Sequence, residues 1–257
     1  MTASTKILLF SSSRVGDAGF LAHAREPIAQ ALSDGGEVVF VPYALADWKG
    51  YTQMVADALG SSGVAVRGLH TLPDPKRGLE QAGAVFVGGG NTFRLLATLE
   101  DLGVPPVLRS RAGRDMAYIG SSAGTNLACP TIRTTNDMPI VQPTSFTALG
   151  LVPFQINPHF IAGNPVPGHR GETREERIAQ FHEVADTPVV GLPEACWLEV
   201  SRGADASRAT VRGSGGVVLF QRGTATQVLA PGATLVANFG DVHVHIEQPI
   251  DLPNKQS

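Results

Sequence analysis

Residues 116–126, Met-Ala-Tyr-Ile-Gly-Ser-Ser-Ala-Gly-Thr-Asn, constrain this chain more than any other stretch. Met116 to Ile119 is a short apolar run that reads as a buried strand, and Ala123 to Cys129 reads as the start of a helix. Between them lies Gly120-Ser121-Ser122-Ala123-Gly124, a complete G-x-S-x-G. A strand that turns into a helix through one serine holds that serine in a strained conformation. Only small residues two positions to either side let the strand and helix approach closely enough. Gly120 and Gly124 meet that demand around Ser122, whereas Ser121 is flanked at the same distances by Ile119 and Ala123. The unit has the form of a nucleophile elbow. Ser122 is the candidate nucleophile.

The surrounding pattern predicts the sheet such a turn requires. Strands are expected at Lys6–Ser11, Glu37–Pro42, Val64–Leu69, Ala84–Val87 and Met116–Gly120. Helical patterns alternate with them near Phe20–Leu32, Tyr51–Leu59, Asn91–Leu102 and Pro106–Arg111. Strands apolar throughout, alternating with helices, imply a parallel sheet covered on both faces, with its site at the carboxyl ends of the strands. Two glycine-rich turns fall at such ends: Gly88-Gly-Gly90-Asn91-Thr92 and the turn at Ser122. Residues 130–170, rich in Pro, Asn and Thr, read as long functional loops. A helix restarts at Thr173-Arg-Glu-Glu176, a capping box with Thr173 as N-cap. An apolar run at Pro188–Leu192 leads into Pro193-Glu194. From Trp197 onward, runs at Val217–Phe220, Thr226–Leu229 and Thr234–Phe239 predict antiparallel hairpins. We expect one catalytic α/β domain over residues 1–250 and a disordered tail over 251–257.

Composition removes several function classes. The 257 residues carry a formal net charge of −3, so neither nucleic acid nor an anionic membrane is an expected partner. Cys129 and Cys196 form no CxxC and no disulfide framework, which fits a reducing compartment. Ile7 to Phe10 is too short for a signal-peptide core, and no run reaches membrane-spanning length. The expectation is a soluble cytoplasmic protein.

A serine hydroxyl is a weak nucleophile near neutral pH and needs a base, an orienting acid and an oxyanion hole. Of the seven histidines, His159 in Gln155-Ile-Asn-Pro-His-Phe160 follows an apolar run that would deliver it to a strand's active edge. His169 follows Pro-Gly in a loop, His182 falls inside the Thr173 helix, and His23 and His70 lack a supporting pattern. His243 and His245 form His-Val-His, a spacing that binds metal only with a third ligand, and no such pattern accompanies it. We expect no metal and no cofactor. Glu194 ends an apolar run and is a candidate acid, with Asp137 as the alternative. Ala123 would give one oxyanion N–H and Gly89 or Gly90 a second. A phosphate cradle at GGGNT is disfavoured, because the P-loop Lys-Ser/Thr is absent.

Six motifs occur in one order: Gly88-Gly-Gly-Asn-Thr92, Tyr118-Ile-Gly-Ser-Ser-Ala-Gly124, Cys129-Pro-Thr-Ile-Arg-Thr-Thr-Asn-Asp-Met-Pro139, Gln155-Ile-Asn-Pro-His-Phe160, Gly171-Glu-Thr-Arg174 and Gly191-Leu-Pro-Glu194. Together they resemble the peptidase E, or alpha-aspartyl dipeptidase, family of serine peptidases. The resemblance implies a flavodoxin-like three-layer sandwich related to class I glutamine amidotransferases, with a mostly parallel sheet and a nucleophile elbow. It implies Ser122 as nucleophile, His159 as general base and Glu194 as orienting acid, with Ala123 and a glycine of the GGG turn as oxyanion donors. It further implies Asp-X dipeptides as substrates, Arg174 pairing with the aspartate carboxylate, and Asn91 and Asp137 among the substrate-binding residues. Arg133 and Arg170 are the alternative cations, and the expected assembly is a monomer or homodimer. Ser121 stands where the family often carries an aromatic residue.

Two other enzymes compete. A cyanophycinase-like aspartyl peptidase would share this fold and handle related peptides. An α/β-hydrolase would place its histidine late in the chain, at His243 or His245 with Asp205 or Asp241.

Overall fold

The computed structural model describes residues 6–32, 36–164, 170–241 and 243–247. His169 and the tail 251–257 lie outside the described residues. Among the described residues, the first five strands are β1 (Lys6–Phe10), β2 (Glu37–Val41), β3 (Ala65–Gly68), β4 (Ala84–Val87) and β5 (Ala117–Ser121). They follow the expected positions closely. The later strands are β6 (Gln155–Pro158), β7 (Val189–Leu192), β8 (Cys196–Arg202), β9 (Ala206–Gly213), β10 (Val217–Phe220), β11 (Gln227–Leu229), β12 (Thr234–Asn238) and β13 (Val244–Glu247). The helices are α1 (Arg25–Ala31), α2 (Trp48–Gly60), α3 (Pro75–Gln81), α4 (Thr92–Asp101), α5 (Pro105–Arg111), α6 (Ala123–Ala128) and α7 (Arg174–Val184).

The strands form two sheets. The larger has nine strands in the order β13-β12-β9-β8-β1-β5-β4-β2-β3. From β1 through β3 every pairing is parallel, as the βα alternation predicts. On the other side of β1 the sheet continues antiparallel through β8, β9, β12 and β13. The β8–β9 and β12–β13 hairpins therefore extend the central sheet, whereas the β10–β11 hairpin does not. A second sheet runs β11-β10-β7-β6, with β6 and β7 parallel.

Alternation along the parallel strands splits the core into two faces. Leu8, Phe10, Val38, Phe40, Phe86 and Ile119 pack with Ile28 of α1 and Tyr51, Val55 and Leu59 of α2. Ile7, Leu9, Val39, Val41, Val85, Val87 and Tyr118 face the other way, onto residues of α3, α4, α5 and α6. This is an α/β fold with helices on both faces of its parallel half. Each fully buried Leu, Ile or Phe contributes about 1.5–3 kcal/mol of transfer free energy, so strand identity is set by this double burial.

Two local differences have clear causes. The helix expected at Phe20–Leu32 starts only at Arg25, because Leu21 takes φ 56° and donates its N–H to Ser13 O at 2.8 Å, which folds the preceding residues into turns. Helix α3 lies in a stretch where no helix is expected. Its Asp74 cap accepts the Arg77 N–H at 3.0 Å and Pro75 sits at its start, a valid initiation signal on a helix of seven residues. The capping box at Thr173 forms as expected, with both reciprocal bonds present.

Candidate active site

The Ser122 turn has the geometry its glycines demand. Ser122 takes φ 51° between β5 and α6, and its N–H is donated to Phe10 O at 3.0 Å. A Cβ on Gly124 would lie 2.1 Å from Val87 O, and one on Gly120 would lie 2.6 Å from Gly124 O. Neither backbone atom can give way, so only glycine lets α6 start directly behind the strands. The Tyr118 hydroxyl, buried in the core, holds the turn from below by donating to Gly124 O at 2.6 Å.

Ser122 Oγ lies 2.8 Å from His159 Nε2, and His159 Nδ1 lies 3.0 Å from Glu194 Oε1. Ser122 follows β5 of the large sheet, whereas His159 and Glu194 follow the paired ends of β6 and β7 in the small one. The site therefore bridges two sheets. Ser11, at the end of β1 and fully buried, makes the junction. It accepts the His159 N–H at 2.9 Å and donates its own proton to Leu192 O at 2.8 Å. One hydroxyl thus fixes the backbone of the histidine relative to the strand that leads to Glu194. Asn136 Nδ2 adds a bond to Pro158 O at 2.7 Å and itself accepts from Asn157 Nδ2 at 2.8 Å. These contacts hold His159 at φ 52°, a conformation costly for a non-glycine residue.

The GGG turn corrects one expectation. Gly89 lies against Ser122, where a Cβ would approach Ser122 Cβ to 3.1 Å, but its N–H is donated to the buried Tyr51 hydroxyl at 2.8 Å. The Gly89 N–H is therefore already engaged and is not open to a substrate oxygen. The N–H groups of Ala123 and Gly90 have no hydrogen-bond partner among the described residues.

Asn91, expected to bind substrate, has both halves of its amide committed. Its Oδ1 caps α4 by accepting the Arg94 N–H at 3.0 Å, and its Nδ2 donates to Met138 O at 2.8 Å. This geometry makes Asn91 a brace for the 136–141 loop. Asp137 Oδ2 accepts from Thr92 N at 2.8 Å, Thr92 Oγ1 at 2.6 Å and Thr135 Oγ1 at 3.0 Å, which leaves Oδ1 unengaged. Asp137 does not touch His159, so Glu194 holds the position beside the imidazole.

Arg174 follows the Thr173 cap at the start of α7 and forms no hydrogen bond or ion pair with Ser122, His159 or Glu194. Helix α7 docks beside the segment leaving His159, since Glu175 Oε1 accepts the Gly163 N–H at 2.8 Å and Ile178 packs near Phe160. Burial first, then the neighbouring Arg177 charge, lowers the Arg174 guanidinium from its ordinary value. Such a cation gains most from a carboxylate partner. Arg133 lies 5.6 Å over the Phe181 ring on the same helix, and Arg170 is exposed.

His243 and His245 are exposed at β13, the far edge of the large sheet, five strands from β5, which leads into Ser122. This placement removes the α/β-hydrolase order. Sequence reasoning missed Ser11 and Tyr51. Ser11 carried a signal, since Ser11-Ser12-Ser13 ends an apolar strand at the active edge; Tyr51 lies on an ordinary amphipathic helix and carried none.

Comparison with known proteins shows the family. Residues 7–207 match the model of peptidase family S51. The chain is 49% identical over 229 residues to peptidase E of Streptomyces coelicolor, covering 89% of this chain and 93% of that protein. It is 43% identical over 238 residues to a Drosophila melanogaster protein named "Probable alpha-aspartyl dipeptidase", covering 91% and 98% of the two chains. The crystal structure of a peptidase from an acI-B1 Actinobacterium shares the fold, with a TM-score of 0.64 at 17% identity over 90% of this chain and 96% of that one. With a family model spanning most of the sequence and relatives matched along nearly their full length, the chain belongs to peptidase family S51.

Proposed function

We propose that this serine peptidase hydrolyses dipeptides with an N-terminal aspartate through an acyl-enzyme on Ser122. The observation that carries the reading is the relay Ser122 Oγ–His159–Glu194, with links of 2.8 Å and 3.0 Å. His159 Nε2 takes the serine proton as Oγ attacks the scissile carbonyl, then passes it to the departing amine. Glu194 fixes the imidazole through Nδ1 and stabilises its cation. The N–H groups of Ala123 and Gly90 receive the oxyanion. Water then repeats the sequence on the acyl-enzyme.

Arg174 is the proposed partner of the aspartate side chain, and Asp137 Oδ1 the acceptor for the substrate's ammonium group. The names of the relatives, peptidase E and alpha-aspartyl dipeptidase, support this substrate class. The helices on both faces of the parallel sheet and the φ of 51° at Ser122 support a flavodoxin-like, amidotransferase-related arrangement with a nucleophile elbow. One catalytic domain over residues 1–250 and a cytoplasmic setting complete the proposal. No helix among the described residues is long and apolar enough to cross a membrane. The test is kcat/KM for Asp-Leu, Glu-Leu, Asn-Leu and Leu-Leu. Asp-Leu should lead clearly; equal rates across the four overturn the reading.

A further inference from the structure

A second set of hydroxyl groups lies beside the nucleophile and takes no part in the proton relay. Tyr51 of α2 is only 5% exposed, with its ring edge-on to Phe40 at 4.9 Å. Its hydroxyl accepts the Gly89 N–H at 2.8 Å. Ser13 Oγ lies 2.8 Å from Ser121 Oγ, which is fully buried. Ser121 is joined by its peptide bond to Ser122, and Gly89 packs against Ser122. Ser122 is therefore flanked on both sides, by Gly89 held on Tyr51 and by Ser121 held on Ser13.

Gly88 supports the same picture. A Cβ there would stand 2.7 Å from the Tyr51 hydroxyl, so the phenol fills the space that the missing side chain leaves. Three successive glycines give the turn great conformational freedom, yet an oxyanion hole works only when its donors are held in place beforehand. We propose that Tyr51 is a positioning residue for the oxyanion side of the site, its hydroxyl fixing the Gly88–Gly90 turn against Ser122. The inference rests on the serine peptidase reading given above. Burial pushes the phenol up to about 12, so it keeps its proton across the working pH range and stays a neutral partner for the Gly89 N–H.

Tyr51→Phe removes the hydroxyl and keeps the ring contacts. Its kcat for Asp-Leu should fall about ten- to a hundredfold with KM within about twofold, because a turn displaced by a fraction of an ångström weakens donors that act on the oxyanion formed in the transition state. The rate of Ser122 phosphonylation by a fluorophosphonate should fall by a similar factor. Ser13→Ala, which releases the buried Ser121 hydroxyl on the other flank of Ser122, should give a smaller loss. If Tyr51→Phe does not fold, Ser13→Ala is judged by the same two rates. Unchanged phosphonylation and kcat, or a rise in KM alone, overturns the proposal. A wild type phosphonylated at Ser122 but inert toward Asp-X dipeptides would sink the substrate reading, while the phosphonylation rate still judges Tyr51. A wild type that is not phosphonylated sinks both.

Discussion

Ser122 and His159 are 37 residues apart, yet they share one unusual backbone conformation, φ 51° and 52°, and meet side chain to side chain at 2.8 Å. Leu21 is the other non-glycine residue with positive φ among the described residues. Strain at two positions that touch each other means neither was selected by local backbone preference. The surrounding bonds impose both.

The first prediction separates the two adjacent serines. Ser121 Oγ is buried against Ser13, whereas Ser122 Oγ faces the imidazole. Ser122→Ala should lower kcat by roughly 10⁴-fold or more, since members of a relay fail as a unit. Ser121→Ala should still be labelled stoichiometrically by a fluorophosphonate. Mass spectrometry of the labelled peptide checks this, and label retained in Ser122→Ala would refute the assignment.

The orienting groups should rank by what they touch. His159→Ala removes the base and should be nearly as damaging as Ser122→Ala, while Glu194→Gln should keep more activity. Ser11→Ala touches no substrate, but it strips the His159 N–H and Leu192 O of their shared partner. Its kcat should drop about tenfold or more through misplacement of the imidazole, with KM little changed. Stability should fall by about 1–3 kcal/mol from the unpaired buried groups. Steady-state kinetics with urea unfolding checks both. A normal kcat in Ser11→Ala would show that the imidazole needs no such anchor.

Arg174 gives a specificity prediction. A guanidinium holds a carboxylate bidentately and an amide poorly, so Asp-Leu should exceed Asn-Leu by roughly a hundredfold in kcat/KM. Arg174→Met should collapse that ratio while fluorophosphonate labelling of Ser122 continues. An unchanged ratio would move the role to Arg133 or Arg170.

His23 supplies a pH dependence. Its ring meets Phe10 edge-on at 5.7 Å, and burial lowers its pKa from 6.5, opposed by the Ser12 backbone. The unfolded chain therefore takes up this proton before the folded one does. Stability is intact above about pH 6.5 and declines below it until the folded value is passed. Urea midpoints measured from about pH 8 down to about pH 5 should fall less steeply in His23→Phe than in wild type. Parallel slopes would remove His23 as the cause.

The legible parts of this protein are those written in short contiguous stretches. Gly120 and Gly124 flank Ser122 because a Cβ at either would strike backbone, and that demand appears directly as sequence. Pro158-His159 and Pro193-Glu194 end apolar runs, so their delivery to strand ends was also readable. The strands themselves were legible from double burial. What stayed hidden is long-range pairing: Ser11 meets His159 across 148 residues, and Tyr51 meets Gly89 across 38. The capture of the Gly89 N–H by a phenol has no local trace, so the turn looked open. The placement of β8 beside β1 was hidden for the same reason, since the antiparallel runs say nothing of which sheet they join.

The central position of β1 has a consequence for how the molecule is made. This strand leaves the ribosome before the others described, yet its two neighbours come late: Ile7 aligns with Tyr118 of β5, and Lys6 with Ser201 of β8. Loop closures of that length make pairing slow and leave β1 open-edged during synthesis. A nascent chain that has just completed Ser122 has neither His159 nor Glu194, and its Ser11 hydroxyl still lacks Leu192. Reactivity is therefore withheld until strands β1 to β7, which carry every parallel pairing, have been synthesised, and the order of translation keeps the half-built peptidase inert.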